Sequence, residues 1–244
     1  MRLAQIACGV GLLGLVLLAS AGPSYRVGIL SLTNAFTLLR WAAYAGVATV
    51  LLGAIAAGFA YRRHSRVHML VAAPALLAGL VALGVPFELQ RRARAVPPIH
   101  DISTDLENPP TFDAIVPLRA DAPNGLERSS EVTELQRHGY SDLAPVTLPV
   151  PLGQAFDRAL AAAQEAGWQI VTADKSSGRI EATDTTRWFG FKDDVVVRLT
   201  PWGAGTRVDL RSVSRMGRSD IGTNARRIRQ YLDRLSNQPR GSAP

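Results

Sequence analysis

The side chains with most chemical capacity crowd into one stretch, residues 187–229, RWFGFKDDVVVRLTPWGAGTRVDLRSVSRMGRSDIGTNARRIR. Within it, the run SRMGRSDIGTN carries Ser214, Arg215, Gly217, Asp220 and Asn224, with Arg227 three residues further on. Glycines at 217 and 222 permit a sharp backbone turn, and the free amides of a helix start favour an anion. Arg215 and Arg227 could each grip a carboxylate or phosphate with paired N–H donors. These six residues, Ser214, Arg215, Gly217, Asp220, Asn224 and Arg227, are the candidate ligand or anion site. They also have an architectural reading that needs no ligand. Ser219 or Asp220 caps a helix, Gly217 makes a turn, and Arg215 pairs with Asp193 or Asp194.

Other constellations are weaker. Asp193 and Asp194 could be paired acids or half of a hard-metal site. Neighbours on a strand point to opposite faces, however, so one solvated and one ion-paired aspartate is expected. Beyond the loop at 62–68 the histidines are His100 and His138, too few for a zinc cluster. Cys8 is the only cysteine and lies in an apolar segment, which excludes an internal disulfide and a cysteine nucleophile in the polar half. No GxSxG, Walker A or GxGxxG run occurs. No catalytic residue and no metal ligand is assigned, and no cofactor is called for. Trp188, Phe189 and Phe191 read either as an aromatic lip at a bilayer surface or as the edge of a core.

The elements that position these groups are read from alternation and turn signals. Residues 192–200 and 206–214 alternate as strands around a turn at 201–205, and a helix runs from about Asp220 to Leu235. Upstream come a short strand at 147–150, a helix at 152–166 stopped by Gly167, and strands at 168–172 and 179–184. Val195, Val197, Leu199, Val208 and Leu210 share one face, which two helices should cover. The other face carries Arg179, Glu181, Thr183, Arg198, Arg207, Asp209 and Arg211 and is expected to meet water. Residues 113–146 show no clean period and should form a partly irregular segment that wraps the sheet.

The first part of the chain is of another kind. Residues 3–22, 41–61 and 69–87 carry no charge. A helix rising ~1.5 Å per residue needs roughly 20 such residues to cross a ~30 Å hydrocarbon layer, so three transmembrane helices are expected, the first of them retained rather than cleaved. Ala7 and Gly11, and Gly53 and Ala57, are spaced for close helix approach. With no ionisable group inside a span, the helices read as an anchor rather than a transport path. The arginine-rich loop RRHSRVH at 62–68 should stay cytoplasmic, which puts the chain beyond the third helix outside. Pro-Pro pairs at 97–98 and 109–110 predict an extended spacer.

Charge separates the functional classes. Of 27 Lys plus Arg and 20 Asp plus Glu, nine arginines and one glutamate precede residue 96. The remainder is 18 against 19, so the basic pI belongs to the membrane part and no nucleic-acid partner is indicated. Residues 96–186 nevertheless sum to −8 and residues 187–244 to +7. These halves either pack together or leave the basic one facing an anionic surface.

The runs GRIEATDTTRWFGFKDDVVVRL and RSVSRMGRSDIGTNARRIR resemble the bacterial domain-of-unknown-function family 1499 over roughly residues 96–236. Members are commonly envelope or membrane-associated and no activity is assigned to them, so the resemblance implies a domain boundary and no reaction. The expected fold is α+β: three N-terminal transmembrane helices, then an antiparallel sheet of about four to five strands with two helices on one face. The expected domains are a membrane anchor at 1–94, a proline-rich linker at 95–112, a soluble domain at 113–238 and a disordered tail at 239–244. The expected function is that of an inner (plasma) membrane protein with a periplasmic, non-catalytic binding or scaffold domain. Its partners would be the lipid bilayer and an envelope protein or anionic lipid headgroup. The alternative is an envelope hydrolase with its site at the 214–227 crossover.

Overall fold

The computed structural model describes residues 2–237, and the tail assigned to 239–244 lies outside them. The described residues form two compact units, 2–92 with 187–190, and 93–186 with 191–237.

The first unit holds three helices, α1 (Arg2–Arg26), α2 (Leu32–Arg62) and α3 (Arg66–Ala95), each long and apolar enough to cross a membrane. Small residues set how closely they pack, because without side chains between them backbones can touch. A methyl group on Gly46 of α2 would lie 2.6 Å from the backbone nitrogen of Leu83 and 2.8 Å from the carbonyl of Gly79 on α3. Ala7, Gly11 and Gly53 are buried as their spacing predicts, whereas Ala57 is only half-buried and the contact face of α2 runs through Ala56. The 187–190 segment belongs to this unit: Trp188 lies against Gly22, and the Phe189 ring sits 6.1 Å from Tyr25 and 5.8 Å from Phe36.

The second unit is an antiparallel sheet of β1 (Asp101–Ser103), β2 (Val146–Leu148), β3 (Gln169–Asp174), β4 (Arg179–Thr185), β5 (Lys192–Trp202) and β6 (Gly205–Ser214), ordered β1-β6-β5-β4-β3 with β2 also on β6. The helices α4 (Ser130–Gly139), α5 (Leu152–Glu165) and α6 (Thr223–Asn237) complete it. Val195, Val197, Leu199, Val208 and Leu210 pack with Phe156, Ala159, Ile228 and Tyr231 of α5 and α6 into one core, as the alternation requires. Tyr231 stacks on Trp168 at 4.9 Å and donates its hydroxyl to the Ala159 carbonyl.

Two expectations are corrected here. The spacer at 95–112 is part of the domain, since Ile99 and Ile102 are buried and 101–103 pair with β6. The backbone extends there as the prolines dictate, but the sheet takes it up as a strand. The sheet's second face is covered too: Phe112, Ile115 and Leu126 pack over Val196 and Val213, and Glu181, Asp194 and Arg211 are buried. The partly irregular stretch 113–146 wraps the sheet and contains a helix, α4, in which Ser129 caps the Val132 amide. Its apolar residues, Val132 and Leu135, pack against the core but are too few for a clear period, and its one fully buried side chain is polar. Gln136 is fully buried, accepting from the Ser103 amide at 3.0 Å and donating to its carbonyl at 2.6 Å.

Candidate functional site

The crossover between β6 and α6 is built by backbone geometry first. Gly217 (φ +88°) and Gly222 (φ +79°) adopt conformations open to glycine. Between them Ile221 sits at φ +49°, a strained position for a β-branched residue. Asp220 holds this turn in place, its carboxylate accepting from the amides of Gly222 at 2.9 Å and Asn224 at 2.5 Å. Its side chain caps the helix from two residues before the start position Gly222, whose carbonyl accepts from the Arg226 amide at 3.2 Å, so α6 begins at Thr223 rather than at about Asp220. Burial raises the Asp220 pKa. Burial, with Asp220 nearby, also pushes the Tyr140 phenol up to about 12.

The other five candidate residues divide between two polar networks on opposite sides of the sheet. On the helix side Asn224 is buried, accepting from Ser212 at 2.7 Å and donating to the His100 carbonyl and the Ser214 hydroxyl, both at 3.0 Å. Arg227 donates to Asn224 and Ser212, reaches Asp184 at 2.9 Å, and reaches Asp193 at 2.6 Å. On the far side Arg215 grips Asp194 with two bonds of 2.8 and 2.9 Å, while Arg119 reaches the same carboxylate at 2.5 Å and Thr183 at 2.7 Å. Burial alone would raise the Asp194 pKa, but the bonds from Arg215, Thr183 and Arg119 outweigh it and hold it below the ordinary aspartate range. Gly217 contributes its carbonyl, which accepts from Asn124 at 2.9 Å.

Asp193 and Asp194 therefore do point to opposite faces, but neither is solvated: both are buried and ion-paired. Sequence reasoning missed Arg119, Asp101, Asp105 and Arg128. All four lie in aperiodic segments, where only the −8 against +7 split signalled that they must find partners. They do: Asp105 meets Arg198 and Arg207, Asp101 meets Arg211 and Arg128, and Asp142 meets Arg229.

An open feature lies beside this crossover. A cleft of about 220 Å³ runs along α6, lined by Trp168, Asp184, Arg226, Arg227, Gln230 and Arg234. Of the six candidate residues, Arg227 is the one that lines it.

Three membrane-length helices and a sheet backed by α5 and α6 define a membrane protein with an α+β domain. Residues 101–235 match the family described as Protein of unknown function (DUF1499), and the chain belongs to that family. No curated protein matches the chain.

Proposed function

We propose that this is an envelope protein of the inner (plasma) membrane whose periplasmic α+β domain binds rather than catalyses, taking an anionic lipid headgroup or a protein partner through its basic C-terminal half. One observation carries this reading. Arg215, Asp220 and Arg227 of the crossover are each bonded within the domain, whereas Arg226 and Arg234 on α6 form no ion pair among the described residues. A carboxylate such as Asp194, held ionised by two guanidinium groups, is poorly suited to exchange protons near neutral pH, and it supports structure instead. Cations left without a carboxylate attract anionic surfaces.

The test is the melting of the full chain in detergent with Arg215→Ala or Asp220→Ala. Loss of stability in both agrees with a structural crossover. An unchanged melting point together with a lost phenotype would place function at the crossover and favour the hydrolase. Flotation of the reconstituted protein with vesicles of phosphatidylcholine plus phosphatidylglycerol tests the anionic surface directly.

A further inference from the structure

The α6 cleft combines features that ordinary surface arginines lack together. Thr223, Arg226, Arg227, Gln230 and Arg234 recur at helical spacing, so one side of α6 forms a wall of the cleft. Arg226 and Arg234 stand eight residues apart, about 12 Å along the axis, with the Gln230 amide between them. The wall carries three guanidinium groups against one carboxylate, Asp184, which Arg227 already occupies. Arg227 holds its own bonds to Asp184, Asp193, Ser212 and Asn224, so it contributes field rather than a free grip. Trp168 closes the inner side, buried and stacked on Tyr231, and a wall of low polarity strengthens that field.

We infer that this cleft is a binding site for a phosphate-class oxyanion, gripped by Arg226 and Arg234 and oriented by Gln230. A doubly charged phosphate group matches the two arginines that lack counter-charges, where a single carboxylate would leave one uncompensated. At about 220 Å³ the cleft is smaller than the ~300–1,000 Å³ that drug-sized ligands require, which fits a phosphate group and little more. Planar guanidinium groups meet phosphate oxygens with paired donors. The inference rests on the binding role proposed above and narrows it to one chemistry, carried either by a lipid headgroup or by free phosphate.

The experiment uses the full chain in phosphatidylcholine nanodiscs at fixed ionic strength. Inorganic phosphate is titrated by calorimetry and by intrinsic fluorescence, with Trp168→Phe to assign the signal. In a second arm the same nanodiscs meet vesicles of phosphatidylcholine plus phosphatidic acid, whose headgroup is a phosphomonoester able to carry two charges. Arg226→Gln/Arg234→Gln is expected to weaken binding at least about tenfold, the equivalent of one charge-assisted hydrogen bond. Arg229→Gln, whose guanidinium is held by Asp142 at 2.6 and 2.8 Å, is expected to leave binding unchanged. Because Arg226 and Arg234 are exposed, the double variant should melt like wild type.

Binding of free phosphate that depends on the two arginines establishes a soluble ligand. Dependence seen with vesicles alone establishes a headgroup. Wild type that binds neither probe overturns the inference, as does a double variant that binds like wild type. Vesicle binding retained in the double variant removes the cleft but keeps the broader binding role. Phosphate binding without vesicle or partner binding does the reverse.

Discussion

Over most of its length, one side of the sheet meets α5 and α6 through Val195, Val197, Leu199, Val208 and Leu210, with Asp193–Arg227 at one end. The other side buries Glu181, Asp194, Asp209 and Arg211 beneath a cover that is mostly irregular chain. The difference arises from the needs of each cover. A helix satisfies its own backbone, so its underside need only be apolar. An irregular segment brings loose amides and carbonyls that must find partners once buried. Glu181 accepts from the amides of Asp113 and Ile115 at 2.8 and 2.9 Å. Arg211, Arg215 and Arg119 donate to the carbonyls of Leu126, Leu118 and Asn124. Charge on this face works as backbone pairing supplied by side chains.

The sharpest break comes from the ionic side. Asp194→Ala strands Arg119 and Arg215 without a counter-charge, and unfolding of the full chain by urea should show a loss of about 3–5 kcal/mol. Replacing Asp194, Arg119 and Arg215 together with apolar residues of similar volume should cost far less, which would show that the pairing fixes the cover rather than supplying net stability. The same face should govern the acid limb. Since the folded state depresses the Asp194 pKa, its contribution is complete above the unfolded value near ~3.9 and is lost as pH falls through the lower folded value. In urea titrations at a series of acid pH values, Asp194→Asn should flatten that decline.

Next in size, Asp220→Ala removes the α6 cap and should cost about 0.5–2 kcal/mol by the same denaturation. On the helix side, Ile180→Val leaves a small void under α5, worth about 0.5–1.5 kcal/mol. Arg137→Ala breaks two exposed pairs, with Glu107 at 3.2 Å and Glu134 at 3.4 Å, and should change stability by less than about 0.5 kcal/mol. An Asp194→Ala loss no larger than that of Ile180→Val would erase the distinction between the two faces.

This contrast also explains how much was legible in the sequence. The strands around Val195–Leu199 and Val208–Leu210 and the helix at 152–165 advertise a period, the three apolar spans a length without charge, and each stands where its residues indicate. The ionic face shows the same alternation, but alternation reports only which residues share a face and not what covers it. Arg198 and Asp209 read as solvated for that reason. Asp101 and Arg119 sit in stretches without any repeat, and their partners Arg211 and Asp194 lie 110 and 75 positions away in the chain. Of the candidate site, the Asp220 cap and the Arg215–Asp194 pairing were readable from residue types and spacing. The α6 cleft was not, because it needs Trp168 and Asp184 brought beside the helix from separate strands.

The arrangement of strands has a consequence for self-association. The outer rim of β6 is occupied twice, by β1 near its end and by β2 near its beginning. The opposite rim, β3, is interrupted by a register shift between Ile170 and Thr172 and stops at Asp174, whose carboxylate turns back onto the Ser176 amide and hydroxyl. Short or kinked borders of this type make poor templates for another chain's hydrogen-bond ladder. Neither rim offers a long, flat strand for a second copy to extend, so crowding many copies into one membrane gives little opening for edge-to-edge aggregation.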